Sequence, residues 1–270
     1  MHTDTSTGVL VETVMLPSDA LERIVKVQFY LPLNIPDPGS LKLLLFNDGQ
    51  DLETMGFERM LSNGLQEGRL QPVLVAGICS GEDRLQEYGM ICGPDYKGRG
   101  ARAGQYQQFI LEELLPYIYG HYRISEFAER AFAGFSLGGL SALDLVWNNP
   151  RVFSRVGVFS GSLWWRSKDK YTKGYNEWRD RMMLAQLRAG QFQPGLKFFF
   201  QCGELDEWED RNRNGVIDSI DDTIDTMRAL LAKGYLERKD MRYYQMPDGR
   251  HDVASWAKAM PVFLRWGWRK

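Results

Sequence analysis

The 270-residue chain has only three cysteines and three histidines. Cys79, Cys92 and Cys202 are too few and too far apart for a disulfide scaffold, and none forms a Cys-x-x-Cys pair. They read as free thiols of a reducing compartment, or as inert core residues. The sequence has no His-Glu-x-x-His and no histidine cluster, which argues against a zinc hydrolase. Charge of one sign is also missing. With 33 Lys and Arg against 35 Asp and Glu the net charge is −2, and this removes the electrostatic case for nucleic acid or an anionic membrane as partner. No apolar run exceeds strand length, far below the roughly 20 residues that span a bilayer. Residues 1–8 are polar and lack the basic and apolar regions of a secretory leader. The expectation is a cytoplasmic protein, or a secreted one whose leader has been removed.

What remains is an ordinary globular composition, 44% hydrophobic and 25% charged, with no repeat and no low-complexity linker. It predicts one domain over residues 1–270. Short mixed runs at 9–16 and 24–31 read as strands with a Pro17-Ser18 turn between them, and Pro32, Pro36 and Pro38 close the second. Residues 41–46 and 73–78 are nearly all apolar, as suits strands buried on both faces of a parallel sheet. Further strands are predicted at 130–134, 156–159, 196–201 and 241–246. Helices are predicted at 106–118, 140–147, 220–231 and 255–266. Strands alternating with helices predict an α/β fold, a mostly parallel central sheet with helices on both faces. In such sheets function sits on loops at the carboxyl ends of the strands, here after Gly134, Gln201 and Met246.

Those three loops hold the chemistry. Gly134-Phe135-Ser136-Leu137-Gly138 is a Gly-x-Ser-x-Gly between a short apolar strand and a helix, the setting of a nucleophile elbow. A serine hydroxyl needs a base to take its proton. Of the histidines, His2 lies in the terminal segment and His121 precedes the serine. Only His251 follows both the serine and an acid in the order nucleophile, acid, base. The acid falls after the strand ending at Gln201, with Glu204, Asp206 and Glu207 as candidates. Asp206 has the usual Gly-x-x-Asp spacing. An acid there would hold the imidazole tautomer and stabilise the imidazolium. The Asp48-Gly49 turn after residues 41–46 can aim a backbone N–H at a reacting carbonyl, beside the N–H of Leu137.

A second motif lies close behind the acid. Residues 210–221 fit D-x-N-x-N-G-x-I-D-x-x-D, a calcium loop of EF-hand type. Asp210, Asn212, Asn214, Asp218 and Asp221 would supply side-chain oxygens and Val216 its carbonyl, with Gly215 at the sharp turn. Asp221 stands where glutamate is usual, so weaker binding or competition by magnesium is expected. The expected cofactor is a structural Ca2+ that stiffens the acid loop, with no organic cofactor.

Several stretches together resemble one family. They are 44–50 (Leu-Leu-Phe-Asn-Asp-Gly-Gln), 84–88 (Arg-Leu-Gln-Glu-Tyr), 109–118, 133–139, 159–165 (Phe-Ser-Gly-Ser-Leu-Trp-Trp) and the end from Gly249-Arg250-His251-Asp252 through Trp256. In this order they resemble the putative-esterase branch of α/β-hydrolases, which includes esterase D, feruloyl and acetylxylan esterases, the mycolyl-transferring antigens and the enterochelin esterases. The resemblance implies an α/β-hydrolase fold and a serine hydrolase acting on carboxylic esters, with Ser136 as nucleophile, His251 as base and Leu137 and Gln50 forming the oxyanion hole. It implies Trp164 and Trp165 in the acyl pocket, and Arg84, Tyr88 and Arg99 are further pocket candidates. The expected partner is a small-molecule or carbohydrate ester: a siderophore, or a feruloyl or acetyl sugar ester. Acyl transfer on the same site and a non-catalytic calcium-binding module are the alternatives.

Overall fold

A stretch such as Leu-Leu-Leu-Phe has no polar alternation, so it is stable as a strand only where both faces are covered. The computed structural model describes residues 8–35 and 37–270, and it buries this stretch completely. His2 and Pro36 lie outside the described residues. The strands in chain order are β1 (Val9–Ser18), β2 (Arg23–Pro32), β3 (Lys42–Asn47), β4 (Val73–Ile78), β5 (Glu129–Phe135), β6 (Arg155–Phe159), β7 (Lys197–Leu205) and β8 (Met241–Arg250). They form one 8-stranded sheet in the order β1-β2-β4-β3-β5-β6-β7-β8. Strands β3 to β8 run parallel, and β1 and β2 form an antiparallel hairpin at one edge. This is an α/β fold with a mostly parallel sheet, as the sequence predicts.

Successive strand side chains point to opposite faces, so each strand feeds two cores. Leu43, Leu45, Phe198 and Phe200 pack on one face with Leu140, Leu143 and Val146 of the helix Ser136–Asn148. Leu44, Phe46 and Phe199 pack on the other with Phe57 and Leu61 of Phe57–Gln66 and with Trp256, Met260 and Phe263 of Val253–Trp268. The chain leaves β3 to one side for β4 and returns on the other for β5. The crevice between the carboxyl ends of β3 and β5 is therefore the topological switch point, where ligands of open α/β sheets bind.

Several elements differ from expectation. The predicted helix 106–118 is a longer helical run, Ala103–Gln108, Phe109–Leu114 and Leu115–His121, whose middle segment is π-wound just before Pro116, a residue with no N–H to give. Strands β7 and β8 run to Leu205 and Arg250, each past its predicted end. The helix after β5 begins at Ser136 itself. No described helix is long and apolar enough to cross a membrane.

Candidate active site

Strand β5 passes directly into the helix Ser136–Asn148, and Ser136 takes the strain of that turn at φ +52°. The flanking glycines are needed for close approach. A Cβ on Gly134 would lie 2.6 Å from the carbonyl of Gly138. The strained backbone presents Oγ of Ser136 at the carboxyl end of the sheet, 2.9 Å from Nε2 of His251. A second hydroxyl stands beside it. Oγ of Ser162 is 3.4 Å from Oγ of Ser136, and the Ser162 N–H donates to the Ser136 carbonyl at 3.0 Å.

His251 immediately follows β8 and Asp206 immediately follows β7. The register pairs Leu205 with Arg250, so acid and base leave the sheet side by side. The two strand ends close up because Gly203 and Gly249 meet without side chains. The Asp206 carboxylate accepts the Gly203 N–H at 3.1 Å, and its other oxygen, Oδ1, is buried without a hydrogen-bond partner. No hydrogen bond joins Asp206 to His251 among the described residues, so their coupling is through space. Burial lowers the His251 pKa below the ordinary imidazole value, the Asp206 charge works against this, and Arg84 adds to it. Burial raises the Asp206 pKa, while the Gly203 N–H, the Ser160 hydroxyl and the charge of His251 act to lower it. The other acid candidates are placed differently. Glu204 accepts from Gln245 Nε2 at 2.8 Å on the sheet surface, and Glu207 is half-buried with its pKa pushed up to about 7 by burial. Trp256 supports the base: its ring lies edge-on to His251 at 5.3 Å and stacks on Phe135 at 4.6 Å, and its Nε1 donates to Ser160 Oγ at 3.0 Å. Ser160 and Ser162 were not singled out from the sequence. Two serines just after β6, at the carboxyl end of the sheet, were the available signal.

Gln50 and Leu137 are each the second residue of a helix, Gly49–Thr54 and Ser136–Asn148. N–H groups at that position have no intrahelical acceptor. The two helix starts adjoin, since Asn47 Nδ2 donates to the Gly138 carbonyl at 2.8 Å while Tyr106 donates to Asn47 Oδ1 at 2.5 Å. The Gln50 side chain is held away by reciprocal bonds with Ser80 at 3.0 and 3.1 Å, leaving its backbone N–H as the available donor. Such a pair of donors beside a serine hydroxyl is suited to a developing oxyanion.

The expected pocket residues divide. Trp165 and Tyr88 have no accessible surface, so they back the site rather than line it. Trp164 is half-buried, with the Arg99 guanidinium 5.0 Å from its ring, and lines a cleft of about 490 Å³ with Tyr96, Arg166, Tyr171 and Glu207. Arg84 is bound to Asp48, and its charge acts on His251.

In the loop 210–221 the expected oxygen donors gather at positions 1, 3, 5 and 12. Asp210 accepts the N–H groups of Asn214 and Gly215, and Asp221 Oδ2 accepts the side-chain amides of Asn212 at 2.7 Å and Asn214 at 2.9 Å. Gly215 turns at φ +84°. Carboxylates and amides of this kind are the residue types a hard cation takes, but no group of three or more His, Cys, Asp or Glu suited to a metal occurs among the described residues, and the Asn212 and Asn214 amides turn their nitrogens to Asp221. Asp218 is engaged elsewhere. Its carboxylate accepts the Arg211 N–H at 2.8 Å and lies 3.2 Å from the Arg211 guanidinium.

The sequence model of the family described as Putative esterase matches residues 18–266. The chain is 30% identical over 149 residues to the iron(III) enterobactin esterase of Escherichia coli O6:H1, covering 54% of this chain and 32% of that protein. It is 30% identical over 162 residues to the diacylglycerol acyltransferase/mycolyltransferase Ag85A of Mycobacterium leprae, covering 58% of this chain and 45% of that protein. The crystal structure of the enterobactin esterase FES of Shigella flexneri in the presence of enterobactin superposes with a TM-score of 0.73 at 20% identity, over 96% of this chain and 59% of that one. The chain thus spans less than two thirds of the length of each.

Proposed function

From the premise that the chain belongs to the Putative esterase family, we propose that it is a serine carboxylic-ester hydrolase working through an acyl-enzyme. The observation that carries this reading is the 2.9 Å approach of His251 Nε2 to the hydroxyl of Ser136 on a left-handed backbone. Oγ of Ser136 attacks the ester carbonyl carbon as its proton passes to His251 Nε2. The charge that collects on the carbonyl oxygen is received by the N–H groups of Leu137 and Gln50. His251 returns the proton to the departing alcohol, and water then repeats the sequence on the acyl-enzyme. Asp206 stabilises the imidazolium by its charge. A base that desolvation holds below its ordinary pKa is neutral, hence competent, at neutral pH.

The substrate in this reading is a small-molecule or carbohydrate ester. The enterobactin esterases among the relatives support a siderophore, and the half-buried Trp164 in its polar cleft equally suits a feruloyl or acetyl sugar ester. A second reading, acyl transfer to an alcohol on the same serine, is favoured by the likeness to Ag85A. The loop 210–221 is proposed as a Ca2+ site built from Asp210, Asn212, Asn214, the Val216 carbonyl and Asp221, with Asp218 bracing the loop through Arg211. A bound ion there would cross-link the chain beyond Asp206 and leave the ester chemistry to the protein.

The test is to quench a reaction with p-nitrophenyl acetate in acid and map the acetyl group by mass spectrometry. An acetyl on Ser136 is expected. An acetyl elsewhere, or none together with steady turnover, contradicts the mechanism. Adding an alcohol and measuring the ester formed separates transfer from hydrolysis.

A further inference from the structure

The Gln50 N–H belongs to a six-residue helix, Gly49–Thr54, which is too short to hold itself in place. Its N-cap, Asp48, is left-handed at φ +57° and ψ +47°, yet the Asp48 side chain makes no capping bond. Both of its oxygens are taken by Arg84 instead, Nε to Oδ1 and Nη2 to Oδ2, each at 2.7 Å. This planar, two-point pairing fixes orientation as well as distance. One turn later on the same segment, the Tyr88 hydroxyl accepts the Asp48 N–H at 3.1 Å. The Gln50 side-chain amide adds a longer bond to Oδ1 at 3.4 Å, so the short bonds that hold Asp48 by side chain and N–H come from the segment 84–88. The carboxylate is 2% exposed and lies against the nucleophile helix, since a Cβ on Gly138 would sit 2.8 Å from Oδ2. Asp48 is therefore wedged between the two helix starts that carry Gln50 and Leu137.

We propose that the Asp48–Arg84 ion pair is the positioning element of the hydrolytic site: it aligns the Gln50 N–H with the Leu137 N–H. This rests on the serine-hydrolase reading. The charged groups that act on His251 are Asp206 from the end of β7, Arg84 from the segment after β4 and Asp252 from the start of the last helix. Arg84 opposes protonation of the imidazole and the two aspartates favour it. Asp51 interacts through charge with both members of the pair.

Three variants test the proposal against p-nitrophenyl esters: Arg84→Lys, Arg84→Gln and Asp48→Asn. Arg84→Lys keeps the charge and loses the fork. Its kcat should fall about 10- to 100-fold with KM within about twofold, because the oxyanion donors drift while ground-state binding survives. Its acid limb of kcat/KM should stay in place. Arg84→Gln should lose a similar factor, and its acid limb should move to higher pH, because the charge that lowers the His251 pKa is gone. Asp48→Asn leaves Arg84 uncompensated and should move the limb to lower pH. A pair with only a structural role would change the melting temperature without moving these limbs in opposite directions. Should Arg84→Gln fail to fold, the other two still decide. Arg84→Lys with kcat within about twofold of wild type, or limbs that do not separate, overturns the proposal. A wild type that neither hydrolyses an ester nor labels with a fluorophosphonate at Ser136 overturns the hydrolase reading, and the pair's role with it. A labelled, active wild type with indifferent variants overturns the pair's role alone.

Discussion

Gly203→Ala offers a direct probe of how the sheet brings acid and base together. A Cβ at Gly203 would lie 2.3 Å from the Gly249 oxygen, 2.4 Å from its carbonyl carbon and 2.7 Å from Asp206 Oδ1. Carbon contacts are comfortable at about 3.5 Å or more, so the ends of β7 and β8 must part by roughly 1 Å. Both nearest atoms are backbone, and neither can swing aside as a flexible side chain could. Overpacking of this kind costs about 1–3 kcal/mol, which at this chain length lowers Tm by roughly 2–4 °C per kcal/mol. The protein should stay folded at 25 °C. Catalysis should suffer more. Gly249 lies two residues before His251, and the Gly203 N–H holds the Asp206 carboxylate, so the displacement passes straight to base and acid. A misplacement near 1 Å can cost about 10²-fold in rate. Thermal melts and kcat toward p-nitrophenyl acetate are the assays. Gly120→Ala is the control, because a Cβ there meets nothing within 4 Å and the helix gains from alanine by up to about 1 kcal/mol. A Gly203→Ala protein with unchanged Tm and kcat within about threefold of wild type would refute this account of the strand ends.

Asp206→Asn should lower kcat by roughly 10³-fold or more, and a pH profile of kcat/KM should show its acid limb moved to lower pH, since the Asp206 charge raises the His251 pKa. Asp222 sits between two guanidinium groups, 2.5 Å from Arg181 Nη1 and 2.7 Å from Arg211 Nη2. Asp222→Ala takes one partner from each, but Arg181 keeps Asp225 at 2.6 Å and Glu177 at 3.0 Å and Arg211 keeps Asp218 at 3.2 Å, so a urea titration should show a loss at or below the lower end of the roughly 3–5 kcal/mol that an unpaired buried charge costs. Calcium in tenfold excess over its Kd should stabilise the fold by about 1.4 kcal/mol, raising Tm by a few degrees; EDTA should reverse this, and Asp221→Ala should abolish it. A Tm indifferent to millimolar calcium and to EDTA would remove the metal from the account.

Much of this architecture is legible in local sequence because the relevant forces are local. Leu43 to Phe46 can only be a doubly covered strand, and a small-residue strand running into Gly-x-Ser-x-Gly can only turn sharply at the serine. The order of Ser136, Asp206 and His251 needs chain direction alone. What sequence does not carry is long-range fit. Strands β7 and β8 extend past their apolar runs because Gly203 and Gly249 pack against each other at a register shift, where Gly203 pairs with Met246 and Leu205 with Arg250, and neither glycine announces that contact. Trp165 has a pocket residue's chemistry, but it packs beneath Gly89 and Gly100, which leave room for its ring. Asp48 looks like an ordinary turn residue until Arg84, 36 positions later, takes its carboxylate. The helix Phe57–Gln66 is amphipathic but was not anticipated, being confined between a left-handed Gly56 and the Glu67-Gly68 turn.

The most direct test of the central claim is the hydrolysis of p-nitrophenyl acetate and butyrate by wild type and Ser136→Ala under identical conditions. The account predicts turnover by wild type and a loss in the variant of about 10³-fold or more, with Tm unchanged to within a few degrees. A Ser136→Ala protein that retains wild-type kcat would contradict the account, because among the described residues no other hydroxyl has His251 within 3 Å as its base.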